Sequence, residues 1–189
     1  RLERVTDATG AIADLTWSEV SQARVGGTDP IMRLDEMLES FPDAHVNIDP
    51  KAWASVTPLA ETLARMDALE RVCVTAFSRR RTLAVKNLVG ERLCTGGGVG
   101  AAIQLRSGAP LRMLGGVDVL QVPLRAGRLT VVNSQFVRNA QRQGIHVHVW
   151  TIDDSVTMHQ LLDLGVDGIM TDEPSVLRTV FRERGLWPH

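Results

Sequence analysis

The sequence has few of the features that would provide a covalent, metal-held or membrane-embedded framework. It contains only two cysteines, Cys73 and Cys94, which lie in separate apolar runs without C-x-x-C spacing, so neither a disulfide nor a zinc site is indicated. No apolar run reaches about 18 residues, so no transmembrane segment is predicted. The chain begins with Arg1 rather than Met, and a cytoplasmic and an exported location both stay open.

An excess of charge of one sign is also missing. The 21 Lys and Arg residues are balanced by 22 Asp and Glu residues, which gives a formal charge of −1. This balance lacks the basic surface of a general nucleic-acid binder, so no nucleic-acid partner is expected. The densest basic run, Arg79–Arg81, is interpreted as the solvated start of a helix.

Familiar catalytic motifs are absent as well. There is no G-x-S-x-G elbow and no H-E-x-x-H, and neither cysteine has an activating partner nearby in the sequence, which disfavours a serine or cysteine nucleophile. The glycine cluster at Gly96–Gly100 lacks a following G-K-S/T and does not complete G-x-G-x-x-G. It is predicted to be a flexible turn between a strand and a helix.

The sequence does contain a repeated strand and helix pattern, in a composition typical of one globular domain over residues 1–189. The strand starts lie about 20 to 30 residues apart, which is typical of strand-helix units that build a parallel sheet. Six strands are predicted: Ala44–Ile48, Arg71–Phe77, Arg92–Thr95, Val117–Val122, Ile145–Ile152 and Asp167–Thr171.

Helical patterns lie between these strands, and one precedes them at Ile31–Phe41. Thr57 and Pro58 are predicted to begin another helix, and Asp153–Ser155 to begin one that ends at Gly165. The last helix is expected after Asp172–Pro174. Residues 1–27 are predicted to form a loop-like leader.

Six parallel strands fit either an open doubly wound sheet or an incomplete barrel. A complete (β/α)8 TIM barrel takes about 250 residues, so this chain is short by roughly two units of about 30 residues. An incomplete barrel would leave strand edges with unpaired backbone groups, which proteins normally cover or pair.

Asp49 and Lys51 are the first candidate site residues. They follow a predicted strand, at the end that faces the active-site crevice in parallel α/β proteins. Two residues apart on an extended segment, their side chains point to one side, where a carboxylate can bind a divalent cation and an ammonium a phosphate. An exposed salt bridge at the strand end is the alternative.

Trp150 is the second candidate, since it lies near the end of a predicted strand and can form the wall of a pocket. Core packing is its alternative role. His146 and His148 share a face of that strand but have no third ligand nearby in the sequence, so no metal is assigned to them. The helix start at Thr171–Pro174 could receive a phosphate, although a capping role for Thr171 or Asp172 is the simpler interpretation.

Taken in order, these segments resemble the glycerophosphodiester phosphodiesterase family over essentially the whole chain. The closing segments, from His148 onward, are the most specific part of the resemblance. The matching segments are Leu2–Gly10, Asp14–Glu19, Pro30–Glu36, Asn47–Lys51, His148–Asp153 and Leu164–Pro174.

The resemblance implies a (β/α)8 TIM barrel that hydrolyses glycerophosphodiesters, such as glycerophosphocholine or glycerophosphoethanolamine, to glycerol 3-phosphate and an alcohol. It implies a divalent cation, Ca²⁺ or Mg²⁺, with Asp49 as a metal ligand, Lys51 as a phosphate-side charge and Trp150 as a pocket wall. The family's catalytic histidines lie in a His-Arg-Gly and a His-Asp segment, and a Glu-x-Asp segment holds two further carboxylates. None of the three occurs here.

The sequence is therefore interpreted as a phosphodiesterase domain that lacks roughly the first two strand-helix units of the barrel. No residue of this chain is assigned as catalytic, and the chain alone is expected to be nearly inactive. The alternatives are a non-catalytic ligand-binding or self-assembling barrel remnant, which could form a homodimer through its exposed strand edges, and a different phosphate-handling barrel enzyme that binds phosphate at the last helix start.

Overall fold

A computed structural model describes residues 1–110 and 116–187. The chain divides into two compact units, Arg1–Ala44 and His45–His189. The helices are α1 (Trp17–Val20), α2 (Leu34–Ser40), α3 (Val56–Arg65), α4 (Arg79–Val89), α5 (Val99–Arg106), α6 (Ser134–Gln141), α7 (Ser155–Leu164) and α8 (Pro174–Glu183). Among the described residues, no helix combines the length and the apolar character needed to cross a bilayer.

The first unit is not the loop that the sequence predicts for its first 27 residues. It contains 3-10 turns at Leu2–Arg4 and Ile12–Asp14, helix α1, and a hairpin of β1 (Arg24–Val25) and β2 (Asp29–Pro30). Helix α1 begins with a capping box: the Thr16 hydroxyl accepts from the Glu19 N–H, and Glu19 Oε2 accepts from the Thr16 N–H. The T-x-x-E pattern that signals this start was present in the sequence and was missed.

The second unit contains a six-stranded parallel sheet, and all six predicted strands are confirmed, with bounds that differ from the predicted ones by up to about three residues. The strands are β3 (Val46–Ile48), β4 (Val72–Val74), β5 (Cys94–Gly97), β6 (Val119–Pro123), β9 (His146–Trp150) and β10 (Gly168–Ile169). Their order is β10-β9-β6-β5-β4-β3. After β6 the chain makes an antiparallel hairpin of β7 (Arg125–Ala126) and β8 (Leu129–Thr130).

The helix boundaries follow local chemistry. Helix α7 begins as predicted, because the Asp154 side chain accepts from the Thr157 N–H, and it ends at Gly165 in the left-handed conformation with φ +83°. Helix α3 starts at Val56, before the predicted Thr57 cap, and Pro58 falls in its first turn, where the missing N–H costs no helical hydrogen bond.

The two faces of the parallel sheet have different contents. One face, called here the outer face, carries fully buried side chains such as Val74, Leu120, Val147 and Val149, and its part on β6, β9 and β10 belongs to a core that includes residues of α5 to α8. The opposite face, called the inner face, carries polar residues at successive strands. These include Asn47, Cys73, Cys94, Gln121 and His148.

The sheet is curved, with the inner face concave. Asn47 on β3 and Gln121 on β6 lie three strands apart, which is roughly 14 Å in a flat sheet. Their side-chain amides nevertheless form two reciprocal hydrogen bonds of 3.1 and 2.9 Å. Two side chains of this length cannot bridge that span unless the sheet curls as a barrel sheet does.

Candidate active site

A cavity of about 520 Å³ lies at the carboxyl ends of the parallel strands in the second unit. Each strand of the sheet contributes to its lining at or just after its last residue, for example Asp49 after β3, Phe77 after β4 and Trp150 at the end of β9. The volume falls within the roughly 300–1,000 Å³ that ligand sites commonly have. The cavity thus occupies the end of the sheet where parallel α/β proteins place their active sites.

Asp49 combines burial with an incomplete set of hydrogen bonds. Its Oδ2 is ion-paired with the Lys51 ammonium, whereas its Oδ1 is buried and finds no hydrogen-bond donor among the described residues. The loop that carries Asp49 is hydrogen-bonded to helix α4, because Arg81 Nε donates to the Pro50 carbonyl at 2.8 Å. A buried carboxylate oxygen without a partner is costly, so this atom is suited to a cation or to a hydroxyl donor of a ligand.

Lys51 lies at the rim and not within the lining. Its side chain is 75% exposed, and its ammonium lies 5.8 Å from the centre of the Phe77 ring in addition to its ion pair with Asp49. The structure therefore brings Asp49 and Lys51 together, as their spacing predicted. Because the ammonium is already paired, a phosphate would have to share it or compete with Asp49 for it.

Trp150 is a cavity wall residue, and it packs edge-to-face against Phe77, with ring centroids 6.4 Å apart and planes at 85°. Phe77 was not identified from the sequence as a site residue. Its position as the last residue of the second predicted strand, at the same end of the sheet as Asp49 after the first, was a usable signal. Together the two rings give the mouth of the cavity an aromatic side.

A divalent cation would find one suitable ligand here. Asp49 provides a hard oxygen donor, and carboxylates are the preferred ligands of Ca²⁺ and Mg²⁺. However, the described residues contain no group of three His, Cys, Asp or Glu side chains arranged to hold a metal ion. The part of the chain that the structure describes thus supplies one ligand rather than a complete metal site.

Three of the described histidines lie outside the cavity lining. His146 is at the start of β9, where its Nδ1 lies 3.3 Å from Asp167 Oδ1, and His159 on α7 pairs with Glu183. His148 lies in the middle of β9, where burial is the main cause that lowers its pKa. None of these three lines the cavity.

The two cysteines form a pair that the sequence did not reveal. Cys73 and Cys94 are register partners on neighbouring strands, and both thiols are free. A hydrogen bond between the thiols is the main cause that raises the pKa of Cys73 and lowers the pKa of Cys94. The signal lies in the register of the sheet, which neither apolar run shows by itself.

The segment that precedes α8 is held by hydrogen bonds that involve the side chains of Asp153 and Thr171. Asp153 Oδ1 accepts from the Asp172 N–H at 2.8 Å and from the Thr171 hydroxyl at 2.9 Å, while the Thr171 hydroxyl accepts from the Glu173 N–H. These two backbone donors are therefore already used. They precede the first residue of α8, however, and the N-cap residue Glu173 makes no side-chain capping hydrogen bond, so the cap predicted at Thr171 or Asp172 is not observed.

Comparison with known proteins identifies relatives over nearly the whole chain. The model of the glycerophosphoryl diester phosphodiesterase family matches residues 1–176. A Mycobacterium tuberculosis protein named a probable glycerophosphodiester phosphodiesterase is 36% identical over 99% of this chain and 74% of its own length. A glycerophosphodiester phosphodiesterase of Caldanaerobacter subterraneus is 24% identical over 97% of this chain and 78% of its own length.

Solved structures show the same fold at lower identity. A phosphodiesterase of Oleispira antarctica, solved in complex with the product sn-glycerol-3-phosphate, matches 96% of this chain and 76% of its own with a TM-score of 0.78 at 20% identity. A glycerophosphoryl diester phosphodiesterase domain from Mycobacterium tuberculosis matches 96% of this chain and 80% of its own, with a TM-score of 0.76 at 16% identity. The parallel sheet is thus of the type that these barrel proteins contain.

Proposed function

Since this chain belongs to the glycerophosphoryl diester phosphodiesterase family, we propose that its cavity binds glycerophosphodiesters for hydrolysis to glycerol 3-phosphate and an alcohol. In this reaction water adds to phosphorus, the bond from phosphorus to the alcohol oxygen breaks, and the alcohol leaves with a proton. Glycerophosphocholine and glycerophosphoethanolamine are the substrates that the family resemblance implies. The family model spans both compact units, which supports one domain over residues 1–189.

The unpartnered Oδ1 of Asp49 is the observation that carries this proposal. A phosphodiester is an anion, so a carboxylate can face it only across a cation or through a hydroxyl group that donates to the carboxylate. We assign Asp49 as one ligand of a divalent cation, Ca²⁺ or Mg²⁺, which when bound would neutralise phosphate charge. Lys51 restrains the Asp49 carboxylate from the rim and adds positive charge beside it, and Trp150 forms part of the cavity wall.

Calorimetric titration of the 189-residue chain with glycerol 3-phosphate tests the assignment of Asp49. Mg²⁺ or Ca²⁺ should tighten binding, and Asp49→Asn should abolish most of that effect, about tenfold in Kd or roughly 1.4 kcal/mol. Asp43→Asn is the matched control, because it makes the same change of charge at an exposed position outside the cavity lining. Equal metal dependence in both variants would contradict the role of Asp49.

The isolated chain should bind without turning over. Proton transfer to the leaving alkoxide needs an acid within hydrogen-bond reach, and His146, His148 and His159 all lie outside the cavity lining. We therefore expect no release of glycerol 3-phosphate from glycerophosphocholine above the level of Asp49→Asn. Turnover that Asp49→Asn abolishes would refute the expected inactivity while supporting the site.

The same geometry favours a second candidate, a non-catalytic binding or self-assembling barrel remnant. Among the described residues the parallel sheet ends at β3 on one side and β10 on the other, and such ends offer backbone groups for pairing. We propose a homodimer through these strand edges. Sedimentation of the chain should show it, and a monodisperse monomer over the whole concentration range would exclude it.

A further inference from the structure

The inner face of the sheet places two thiols side by side on β4 and β5. Cys73 and Cys94 are register partners on these neighbouring parallel strands, and both are free and half-buried. Backbones of neighbouring strands lie about 4.8 Å apart, which is within the roughly 4.4–6.8 Å that separates the Cα atoms of a disulfide. The pairing of the strands therefore already meets the main distance requirement for a bond between the two sulfur atoms.

Side chains from β4 and β5 crowd each other on this face. Thr75 and Gly96 lie two residues further along the chain than Cys73 and Cys94, so they point to the same face. A Cβ at Gly96 would lie 2.4 Å from the Thr75 hydroxyl oxygen. The same convergence brings the thiols of Cys73 and Cys94 within hydrogen-bond reach of each other.

The two thiols are not equivalent. Their hydrogen bond, in which Cys73 is the donor, is the main cause that raises the pKa of Cys73 and lowers the pKa of Cys94. Burial and the Asp118 carboxylate raise the pKa of Cys94, whereas the Lys86 ammonium lowers it. Cys94 is therefore the thiol that more readily becomes a nucleophilic thiolate, and Cys73 lies where it can attack a sulfur atom bonded to Cys94.

We propose that Cys73 and Cys94 form a reversible disulfide by exchange with a small-molecule disulfide. Cys94 loses its proton and attacks one sulfur of the reagent, whose S–S bond breaks and releases a first thiol. Cys73 then loses its proton and attacks Cys94 Sγ, which releases the second thiol. Two protein thiols are oxidised, and one external disulfide is reduced to two thiols. This inference does not depend on the function proposed for the cavity.

The bond lies on the strands that carry part of the cavity lining. Thr75 follows Cys73 by two residues and Gly97 follows Cys94 by three, and both line the cavity. Oxidation therefore fixes the spacing of these two strands next to the site. A metal site is a weaker explanation of the pair, because the described residues contain no group of three His, Cys, Asp or Glu side chains that could hold an ion.

Thiol counting and intact mass test the proposal directly. The reduced 189-residue chain is incubated with oxidised glutathione, separated from the reagent and unfolded for measurement. The wild type should lose both thiols and become lighter by two hydrogen atoms, with no glutathione retained. Retention of both thiols, glutathione on both cysteines or a covalent dimer would overturn the proposal.

Single variants check the order of the two steps. Cys73→Ser removes the second attacking thiol but keeps a hydroxyl donor beside Cys94, so a mixed disulfide with glutathione should accumulate on Cys94. Cys94→Ser leaves the thiol with the raised pKa, whose adduct should form at least about tenfold more slowly. Equal rates in the two variants would overturn the assignment of Cys94 as the first attacking thiol.

Thermal unfolding tests whether the folded sheet already holds the pair in place. A disulfide that fits the native register should raise the unfolding midpoint by roughly 5–10 °C, mainly because it constrains the unfolded chain. The double variant Cys73→Ser, Cys94→Ser is the control and should show no shift after the same treatment. A lower midpoint in the oxidised wild type would mean that β4 and β5 must separate to accept the bond, and it would overturn the proposal.

Discussion

The two faces of the parallel sheet differ in polarity and in how deeply their side chains are buried. On the outer face, Leu120 is fully buried within a continuous apolar core, whereas the next residue on the inner face, Gln121, is half-buried and hydrogen-bonded to Asn47. Successive residues of a strand point to opposite faces, so a step of one residue passes from the stabilising core to the polar interior. The comparison separates residues that stabilise the fold from residues that are available to contact a ligand.

Close approaches limit side-chain size on both faces of the sheet. On the outer face, a Cβ at Gly97 would lie 2.5 Å from a methyl carbon of its register partner Leu120. Curvature brings inner-face side chains of neighbouring strands together, and a Cβ at Gly96 would lie 2.4 Å from the Thr75 hydroxyl oxygen. Any side chain at this position would require Thr75 to move. The glycine cluster was predicted as a flexible turn, and it does connect β5 to α5. Its first two glycines, however, are strand residues that permit tight packing.

The largest effect should come from the outer face. Leu120→Ala removes a fully buried side chain and should lower the free energy of unfolding by about 2–5 kcal/mol, because the lost apolar contacts are joined by a cavity. Gln121→Ala is the matched change on the inner face and should cost only about 1 kcal/mol through its hydrogen bonds to Asn47. Urea unfolding measures the free energy of unfolding of both variants. Equal decreases would contradict the view that the outer face contributes more to stability than the inner face.

An intermediate effect is expected at the crowded position on the inner face. Gly96→Ala should destabilise by about 1–3 kcal/mol, since Thr75 has to move to admit the new methyl group. Thr75→Gly in the same chain should recover part of this loss by emptying the space. If the double variant is as unstable as the sum of the single variants, crowding between β4 and β5 is not the cause.

The smallest effect should be a pH dependence on the inner face. Burial lowers the pKa of His148 below its ordinary value, so the folded state holds fewer protons than the unfolded chain at pH values between the folded and the unfolded pKa. The contribution to stability is complete above the unfolded pKa and is lost as pH falls through the folded pKa. Urea unfolding should therefore give a lower free energy of unfolding at about pH 5 than at about pH 7.5. The His148→Gln variant should show a smaller difference between the two pH values.

His45→Gln is the control for this measurement, because His45 is exposed and precedes β3. If the pH dependence of stability is unchanged in His148→Gln but reduced in His45→Gln, then His45 and not His148 is its source.

Local patterns in the sequence carried a large part of the fold. Alternating apolar runs predicted all six strands, and Asp154 and Gly165 predicted both ends of α7. The pairing of Asp49 with Lys51 followed from the period of two residues in an extended segment. Each of these inferences depends on residues close in sequence, whose geometry is fixed by backbone stereochemistry.

Parts of the site could not be found in this way. Phe77 contacts Trp150 from a distant strand end, and the hairpin wall with Leu129 interrupts the repeated pattern after β6. The roles of Asp49, Lys51 and Trp150 in binding stay predictions, although the structure places Asp49 and Trp150 in one cavity and Lys51 at its rim. Proximity of this kind depends on strand order and on curvature of the sheet.

The sequence by itself determined the six parallel strands, the helices between them, both ends of α7 and the acidic and basic pair after β3, because these depend on propensities and side-chain directions within a few residues. Only the tertiary structure decided that Asn47 bonds Gln121 across 74 residues, that the two cysteines face each other, and that one wall of the cavity is apolar. Those contacts require the register and curl of the assembled sheet, which arise from the packing of the whole unit.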